Sequence, residues 1–108
     1  MKDSKHNAGR AAMVRFWKKF LRLTRGRVTV LRALDVITQE EKDPVYKNLV
    51  ASLKRTVEKG SPLSVAAGEY PEHFSKSVIE LLMTAEQTGA WDEILPEIAE
   101  GIEDGTFD

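Results

Sequence analysis

The most nearly apolar stretch of this 108-residue chain runs from residue 78 to residue 95. Its hydrophobic side chains recur at helical spacing before a glycine, and they are Val78, Ile79, Leu81, Leu82, Met83 and Ala85. This spacing predicts a helix that is buried on most of its circumference, with other helices packed around it. Gly89 can adopt the left-handed conformation that ends a helix. Glu86 lies in the last turn, where the helix dipole disfavours a negative charge, so we expect a hydrogen bond or a charged partner to compensate it.

Length and composition fit a single domain. A chain of 108 residues with 42% hydrophobic content can form one core but not a second lobe. The absence of cysteine excludes disulfides and thiolate metal sites. No window approaches the roughly 18 consecutive apolar residues of a membrane span, and the N-terminus lacks the apolar segment of a signal peptide. We therefore expect a soluble, cytoplasmic protein.

Helical periodicity and helix-end signals predict an all-α chain of about six helices without strands. The domain boundaries that follow are a flexible basic N-terminal segment at residues 1–10, a single helical bundle domain at 11–104 and a frayed C-terminus at 105–108. The predicted helices cover residues 11–24, 30–42, 44–59, 63–68, a central segment ending at 88, and 90–103.

Several helix ends are marked by capping residues. Thr29 and Asp43 can cap the second and third helices, and Ser61 followed by Pro62 repeats the Asp43-Pro44 pattern at the start of the fourth. Pro96 is awkward in the last helix, so we expect a late start or a slight bend there.

Charge is divided between the two ends of the chain. Residues 1–32 contain ten Lys or Arg and one acid, whereas residues 69–108 contain eleven acids and one Lys. The two ends either fold against each other or present separate charged surfaces to different partners.

The first helix divides into two faces. Phe16, Trp17 and Phe20 lie on its apolar side, where we expect them in the protein core rather than inserted in a membrane. The opposite side, which we call the basic face, carries residues at i, i+3, i+4 and i+7. Its members are Arg15, Lys18, Lys19 and Arg22. These charges suit an acidic protein partner, anionic lipid headgroups or nucleic acid.

No pattern indicates catalysis, a metal or a cofactor. The chain has no phosphate-binding loop, dinucleotide fingerprint, zinc spacing or nucleophile elbow. His6 and His73 each stand alone, which favours solvated or hydrogen-bonded histidines. The carboxylates of the last helix could bind a divalent cation, but their helical spacing is more typical of a solvated face.

Four short motifs, in this order and spacing, resemble the type II secretion system F domain, the cytoplasmic module of inner-membrane platform proteins of type II secretion and type IV pilus assembly. The resemblance covers about residues 14–103. The motifs are Val30-Leu31-Arg32-Ala33-Leu34 after an opening helix and glycine turn, the segment 57–66 around Gly60, the Pro71 to Ser75 turn, and Ala85-Glu86-Gln87-Thr88-Gly89. Ala85 replaces the family's glycine, and Ala90-Trp91 replaces its usual Asn/His-Leu. Members usually carry two copies of the domain and membrane spans, so this chain is either an excised domain or a free-standing relative.

The resemblance implies an antiparallel six-helix bundle that catalyses no reaction. It implies a docking module on the cytoplasmic face of the bacterial inner membrane, with the assembly ATPase and other platform proteins as partners and with self-association as a homodimer. We expect the basic face to be the partner interface, and we expect Gly60, Pro71, Glu86 and Gly89 to be structural keys of the turns. The alternative is a small helical nucleic-acid-binding protein that uses the same basic face.

Overall fold

The computed structural model describes the backbone from Ser4 to Phe107 and the side chains from Gly9 to Phe107. This part of the chain contains helices and turns but no strand, so the predicted all-α fold is confirmed. The six helices are α1 (Ser4–Arg25), α2 (Val30–Glu40), α3 (Pro44–Glu58), α4 (Leu63–Gly68), α5 (Lys76–Thr88) and α6 (Trp91–Glu103). Each helix packs on the next one along the chain, and α6 closes the antiparallel bundle against α1.

Local capping explains where α2, α3 and α5 begin. The Thr29 hydroxyl accepts from the Arg32 backbone N–H at 3.2 Å, and the Asp43 carboxylate accepts from the Val45 N–H at 2.9 Å. Both caps were predicted, and both are confirmed. Ser75 caps α5 in the same way. Each side chain satisfies a backbone donor that would otherwise have no partner within its helix.

The predicted Ser61 cap of α4 is wrong. Pro62 occupies the capping position, and its side chain makes no capping hydrogen bond. The missing acceptor comes instead from α5, because Glu86 Oε2 accepts from the Ser64 N–H at 2.8 Å and Glu86 Oε1 accepts from Ser64 Oγ at 2.6 Å. A carboxylate is stabilised beside the N-terminus of a helix, where the helix dipole is positive. These hydrogen bonds at the start of α4 are the compensation that we expect for Glu86.

The first helix begins earlier than predicted. It starts at Ser4 rather than near residue 11, so residues 4–10 are helical, and residues 1–3 lie outside the described part of the chain. Gly9 is tolerated inside the helix at a cost of about 1 kcal/mol relative to Ala. A Cβ at this position would lie 3.1 Å from Tyr46 Oη, so glycine permits the close approach of α3. The flexibility of segment 1–10 stays a prediction.

The centre of the core is the aromatic side of α1, not α5. Trp17 and Phe20 are fully buried and meet edge to face with ring centroids 5.8 Å apart. Phe74, from the turn before α5, packs on Trp17 at 6.0 Å. The prediction that these α1 aromatics are core residues is confirmed. Edge-to-face pairs add to the free energy gained from burying their large apolar area.

Helix α5 is buried on one side only, which contradicts the predicted burial of most of its circumference. Val78, Leu82 and Ala85 are buried. Leu81 is only half-buried, and Met83 is 45% exposed. The buried side of α5 is narrower than the hydropathy pattern suggests. Helix α5 makes its main contacts with two helices, α4 and α6, and its remaining surface faces solvent.

Helix α6 shows no late start at Pro96, and the slight bend that the sequence offers as the alternative stays a prediction. It begins at Trp91 and includes the proline. Proline lacks the N–H that would bond to the Asp92 carbonyl four residues earlier. Asp92 is exposed, so water can satisfy this carbonyl.

The residues after α6 make contacts within the described chain, and the fraying expected of segment 105–108 stays a prediction. The Asp104 carboxylate accepts from the Thr106 N–H at 2.9 Å and organises a turn after α6. The Phe107 ring then lies directly on Gly101, where an added Cβ would overlap the ring. Only a glycine leaves room for this contact. Asp108 lies outside the described residues.

Candidate protein-binding surfaces

The basic face of α1 is held by carboxylates from two other helices. Arg15 Nη2 lies 3.0 Å from Glu41 Oε2, and Lys19 Nζ lies 2.7 Å from Glu40 Oε1, both at the C-terminal end of α2. On the other side, Lys18 Nζ lies 3.4 Å from Glu103 Oε2 at the end of α6. The structure therefore places the basic face between the C-terminal ends of α2 and α6.

These ion pairs have a common electrostatic cause. Negative charge at a helix C-terminus is unfavourable because it lies beside the negative end of the helix dipole. Cations from α1 compensate the carboxylates that end α2 and α6. The hydrogen bond from Lys19 lowers the pKa of Glu40 below its ordinary value, with a further contribution from the nearby charge of Arg22.

The pair between Lys18 and Glu103 is open to solvent on both sides, whereas the Glu41 and Lys19 side chains are only 11% and 24% exposed. The Arg15 and Lys18 side chains are 51% and 55% exposed, and Glu103 is 57% exposed. Ion pairs between exposed side chains contribute little to stability, because water already solvates both charges. A carboxylate from a partner protein can therefore replace Glu103 beside Lys18 at small cost.

Sequence reasoning identified the basic face but missed its partners. Glu40 and Glu41 lie where the predicted second helix ends, and negative charge at a helix C-terminus is the signal that indicates a cation nearby. The register of α1 against α2 is a tertiary property, so spacing alone could not name the pairs.

Of the four residues expected to be structural keys, three lie in the turns that follow α3, α4 and α5, and Glu86 lies in the last turn of α5. Gly60 follows α3 with φ 107°, and Gly89 ends α5 with φ 77°; both values favour glycine. Pro71 is exposed in the turn that delivers Phe74 to the core. Glu86 accepts a hydrogen bond from the hydroxyl of Ser64 in α4, and Ser64 is only 6% exposed. Whether these residues are functionally required stays a prediction.

Helix α6 presents a row of exposed carboxylates. The row consists of Asp92, Glu93, Glu97 and Glu100. None of these side chains forms an ion pair or a hydrogen bond with another part of the described chain. Among the described residues there is no group of three or more His, Asp or Glu side chains placed to hold a metal ion.

The two histidines differ in setting. His73 is half-buried, and its ring meets the Tyr46 ring edge to face with centroids 5.7 Å apart. The side chain of His6 lies outside the described residues.

Between Ser4 and Phe107, none of the helices combines the length and the apolar character that crossing a membrane requires.

Comparison with known proteins gives the family. A family model described as type II secretion system (T2SS), protein F, matches residues 16–106. The type IV pilus assembly protein PilC of Thermus thermophilus is 27% identical over 91 residues, covering 84% of this chain and 22% of that protein. The type II secretion system protein F of Xanthomonas campestris is 29% identical over 93 residues, covering 86% of this chain and 23% of that protein. This chain thus spans less than a quarter of these curated relatives. Since the family model matches most of the chain, the chain belongs to the family of type II secretion system protein F.

Proposed function

We propose that this chain is a protein-docking domain of the inner-membrane platform in a type II secretion or type IV pilus-like system. It engages the assembly ATPase and other platform proteins at the cytoplasmic face of the membrane, and it catalyses no reaction itself. The observation that carries this proposal is the family match over residues 16–106. Relatives named as a secretion system protein F and as pilus assembly proteins PilC and TapC support the same class of machine.

The basic face is the proposed contact surface for the ATPase. Arg15, Lys18 and Lys19 are already aligned along α1 by their ion pairs, so little side-chain entropy is lost when a partner binds. Carboxylates of the partner would take the place of Glu40, Glu41 and Glu103. Complementary charge of this kind steers association and sets orientation, while affinity comes from a few well-packed anchors.

Binding of the purified chain to the assembly ATPase of its own system tests the proposal. The variant Lys18→Glu/Lys19→Glu reverses two charges of the basic face. The matched control Lys59→Glu/Lys76→Glu reverses two exposed lysines that make no ion pair in the described chain. We expect the first variant to bind at least about tenfold more weakly than the wild type, and the control to stay within about threefold.

Two results would contradict different parts of the proposal. If the wild-type chain fails to bind the ATPase at about 100 μM, the ATPase is not its partner. If the wild type binds and both variants bind equally well, the basic face is not the contact surface. Circular dichroism of both variants checks that the helical fold is retained.

An anionic membrane surface and nucleic acid are the other partners that the sequence raises for the basic face, and the family resemblance also implies self-association. A nucleic acid would have to displace the same carboxylates from Arg15, Lys18 and Lys19 as an acidic protein partner would. DNA affinity that falls steeply with salt, and that is lost in Lys18→Glu/Lys19→Glu, would favour the nucleic-acid alternative. Sedimentation measures self-association, and pelleting with anionic vesicles measures membrane binding.

A further inference from the structure

A groove runs along α1 beside the last residue of α6. It has a volume of about 450 Å³, within the range of about 300–1,000 Å³ that is typical of ligand pockets. We call it the α1–α6 groove, and its lining residues are Arg10, Ala11, Val14 and Arg15 from α1 and Glu103 from α6. The groove shares Arg15 with the basic face and extends more than one helical turn further toward the start of α1.

The floor of the α1–α6 groove is apolar and partly uncovered. Ala11 is exposed, and Val14 is half-buried. Among the described residues, Val14 does not belong to the half-buried apolar side chains that pack on the core. Helical periodicity places both residues between Arg10 and Arg15 around the axis of α1, so a positive charge stands on each side of the floor. A ligand that covers this floor gains free energy by burying apolar surface.

Positive charge outweighs negative charge in the lining of the groove. Arg10 and Arg15 contribute two cations, and Glu103 contributes a single carboxylate. The contact between Arg15 Nη2 and Glu41 uses only part of a guanidinium group that has five N–H donors. Arg15 can therefore bind a second carboxylate while it still holds Glu41. The groove thus suits a ligand with carboxylates.

Glu103 is the most weakly held carboxylate of the basic face. Its Oε2 lies 3.4 Å from Lys18 Nζ, whereas the pairs of Arg15 and Lys19 have distances of 3.0 Å and 2.7 Å. Glu103 also ends α6, where the helix dipole disfavours a negative charge. An incoming carboxylate therefore displaces Glu103 before it displaces the more buried Glu41.

We propose that the α1–α6 groove binds an extended segment of a partner protein in which two glutamates flank a leucine at alternate positions, Glu-x-Leu-x-Glu, and that Glu103 competes with this segment. In an extended chain these three side chains lie on one face, and the two glutamates are roughly 13 Å apart. Arg10 and Lys18 are separated by roughly 12 Å along α1. One glutamate meets Arg10, the leucine covers the apolar floor, and the other glutamate displaces Glu103 from Lys18.

The row of exposed carboxylates on α6 favours a protein segment over an anionic membrane or nucleic acid. This row runs from Asp92 to Glu100 on the helix that packs most extensively on α1. A large anionic surface would be repelled by the row, whereas a short segment stays within the groove. The proposal rests on the role of the basic face as a protein contact surface, and it adds the kind of segment that binds there and the residue that opposes binding.

Titration of the ¹⁵N-labelled chain with synthetic peptides tests the proposal by NMR. The probe is Ser-Glu-Ser-Leu-Ser-Glu-Ser with blocked ends, and its matched controls replace Leu by Ala or both Glu by Gln. We expect the probe to shift the backbone amides of Ala11, Val14 and Glu103. Its affinity should be at least about threefold above that of the Ala control and at least about tenfold above that of the Gln control. No shift at millimolar concentration, or shifts confined to other residues, would overturn the proposal.

Two substitutions with the same change of charge test the competition by Glu103. Glu103→Gln removes the competing carboxylate and should strengthen binding of the probe at least about threefold. Glu97→Gln, at an exposed position of α6 that has no partner among the described residues, should leave the affinity unchanged. Equal affinities of the two variants would overturn the competition that the proposal requires. Amide spectra of both variants check that the fold is retained.

The titrations contain no ATPase, so the groove and the proposed function can fail separately. Probe binding in the groove without any binding of the ATPase would refute only the ATPase as the partner. Binding of the ATPase without any probe shift would overturn only the groove. Anionic vesicles or duplex DNA that displace the probe at an equal concentration of negative charge would overturn the choice of a protein segment.

Discussion

The contact between Glu86 and Ser64 shows how one side chain links two helices. Both carboxylate oxygens of Glu86 are used, one on the Ser64 N–H and one on its hydroxyl. Ser64 is buried, so the loss of Glu86 leaves two polar groups without a protein partner.

Replacing Glu86 should therefore destabilise the domain. We expect Glu86→Ala to lower the free energy of unfolding by about 1–3 kcal/mol, since it removes charged hydrogen bonds from a part-buried site. Glu80→Ala is the matched control, because Glu80 is exposed on the same helix and its carboxylate is unpaired among the described residues. Urea denaturation measures both. Equal effects of the two substitutions would show that the carboxylate of Glu86 does not hold α4.

Gly101 and Phe107 form a second residue-scale contact that can be tested by a double-mutant cycle. Because a Cβ at position 101 would overlap the Phe107 ring, Gly101→Ala should displace Phe107 and destabilise the domain. In a Phe107→Ala background the obstacle is gone, and the same substitution should stabilise the helix by up to about 1 kcal/mol. The change of sign between the two backgrounds is the prediction. If Gly101→Ala has the same effect in both, the ring does not rest on Gly101 in solution.

At the scale of helices, features set by neighbouring residues were predictable and those set by distant ones were not. The caps at Thr29 and Asp43 depend on the next few residues, and a local pattern is enough to place them. The need of Glu86 for a partner was also readable, but Ser64 stands 22 positions away and could be named only from the packing. The choice of α5 as the central helix failed because hydropathy patterns do not report which helix has neighbours on several sides. Helix α1 has the larger aromatic surface to bury.

The stability that the contact between α2 and α3 contributes is expected to depend on pH. Asp35 accepts from Lys54 at 2.9 Å, and this hydrogen bond lowers the pKa of Asp35 from its ordinary value of 3.8. A carboxyl whose pKa is lower in the folded state stabilises the fold above its unfolded pKa and loses that contribution as the pH falls through the folded value. The same hydrogen bond raises the pKa of Lys54, whose contribution is lost only at strongly alkaline pH.

Urea midpoints measured from about pH 7 to about pH 2 test this dependence. We expect wild type to be more stable than Asp35→Asn at neutral pH, and the difference to shrink as the pH falls below 3.8. The control Glu97→Gln, at an exposed and unpaired position of α6, should follow the wild-type curve. A gap between wild type and Asp35→Asn that is constant over the whole range would contradict the pairing.

In the whole molecule, the basic beginning and the acidic end of the chain fold against each other. Helix α1 packs most extensively on α6, and Lys18 meets Glu103 across that contact. The division of charge along the sequence indicated that this arrangement was one of two alternatives. It did not indicate that the α6 carboxylates at 92–100 have no partner among the described residues while Arg15, Lys18 and Lys19 are paired, since this depends on how the two helices are rotated.

The reactivity of individual lysines tests the central claim, which is that the exposed basic face of α1 is the surface that binds a partner protein. The chain is treated with an amine-acetylating reagent, alone and with saturating assembly ATPase, and each lysine is quantified by mass spectrometry. We predict that the ATPase protects Lys18 and Lys19 at least about threefold and leaves Lys42, Lys59 and Lys76 unchanged, because a bound partner excludes the reagent only from its own contact surface. Unchanged labelling of Lys18 and Lys19 in the complex, with protection elsewhere or nowhere, would contradict the account.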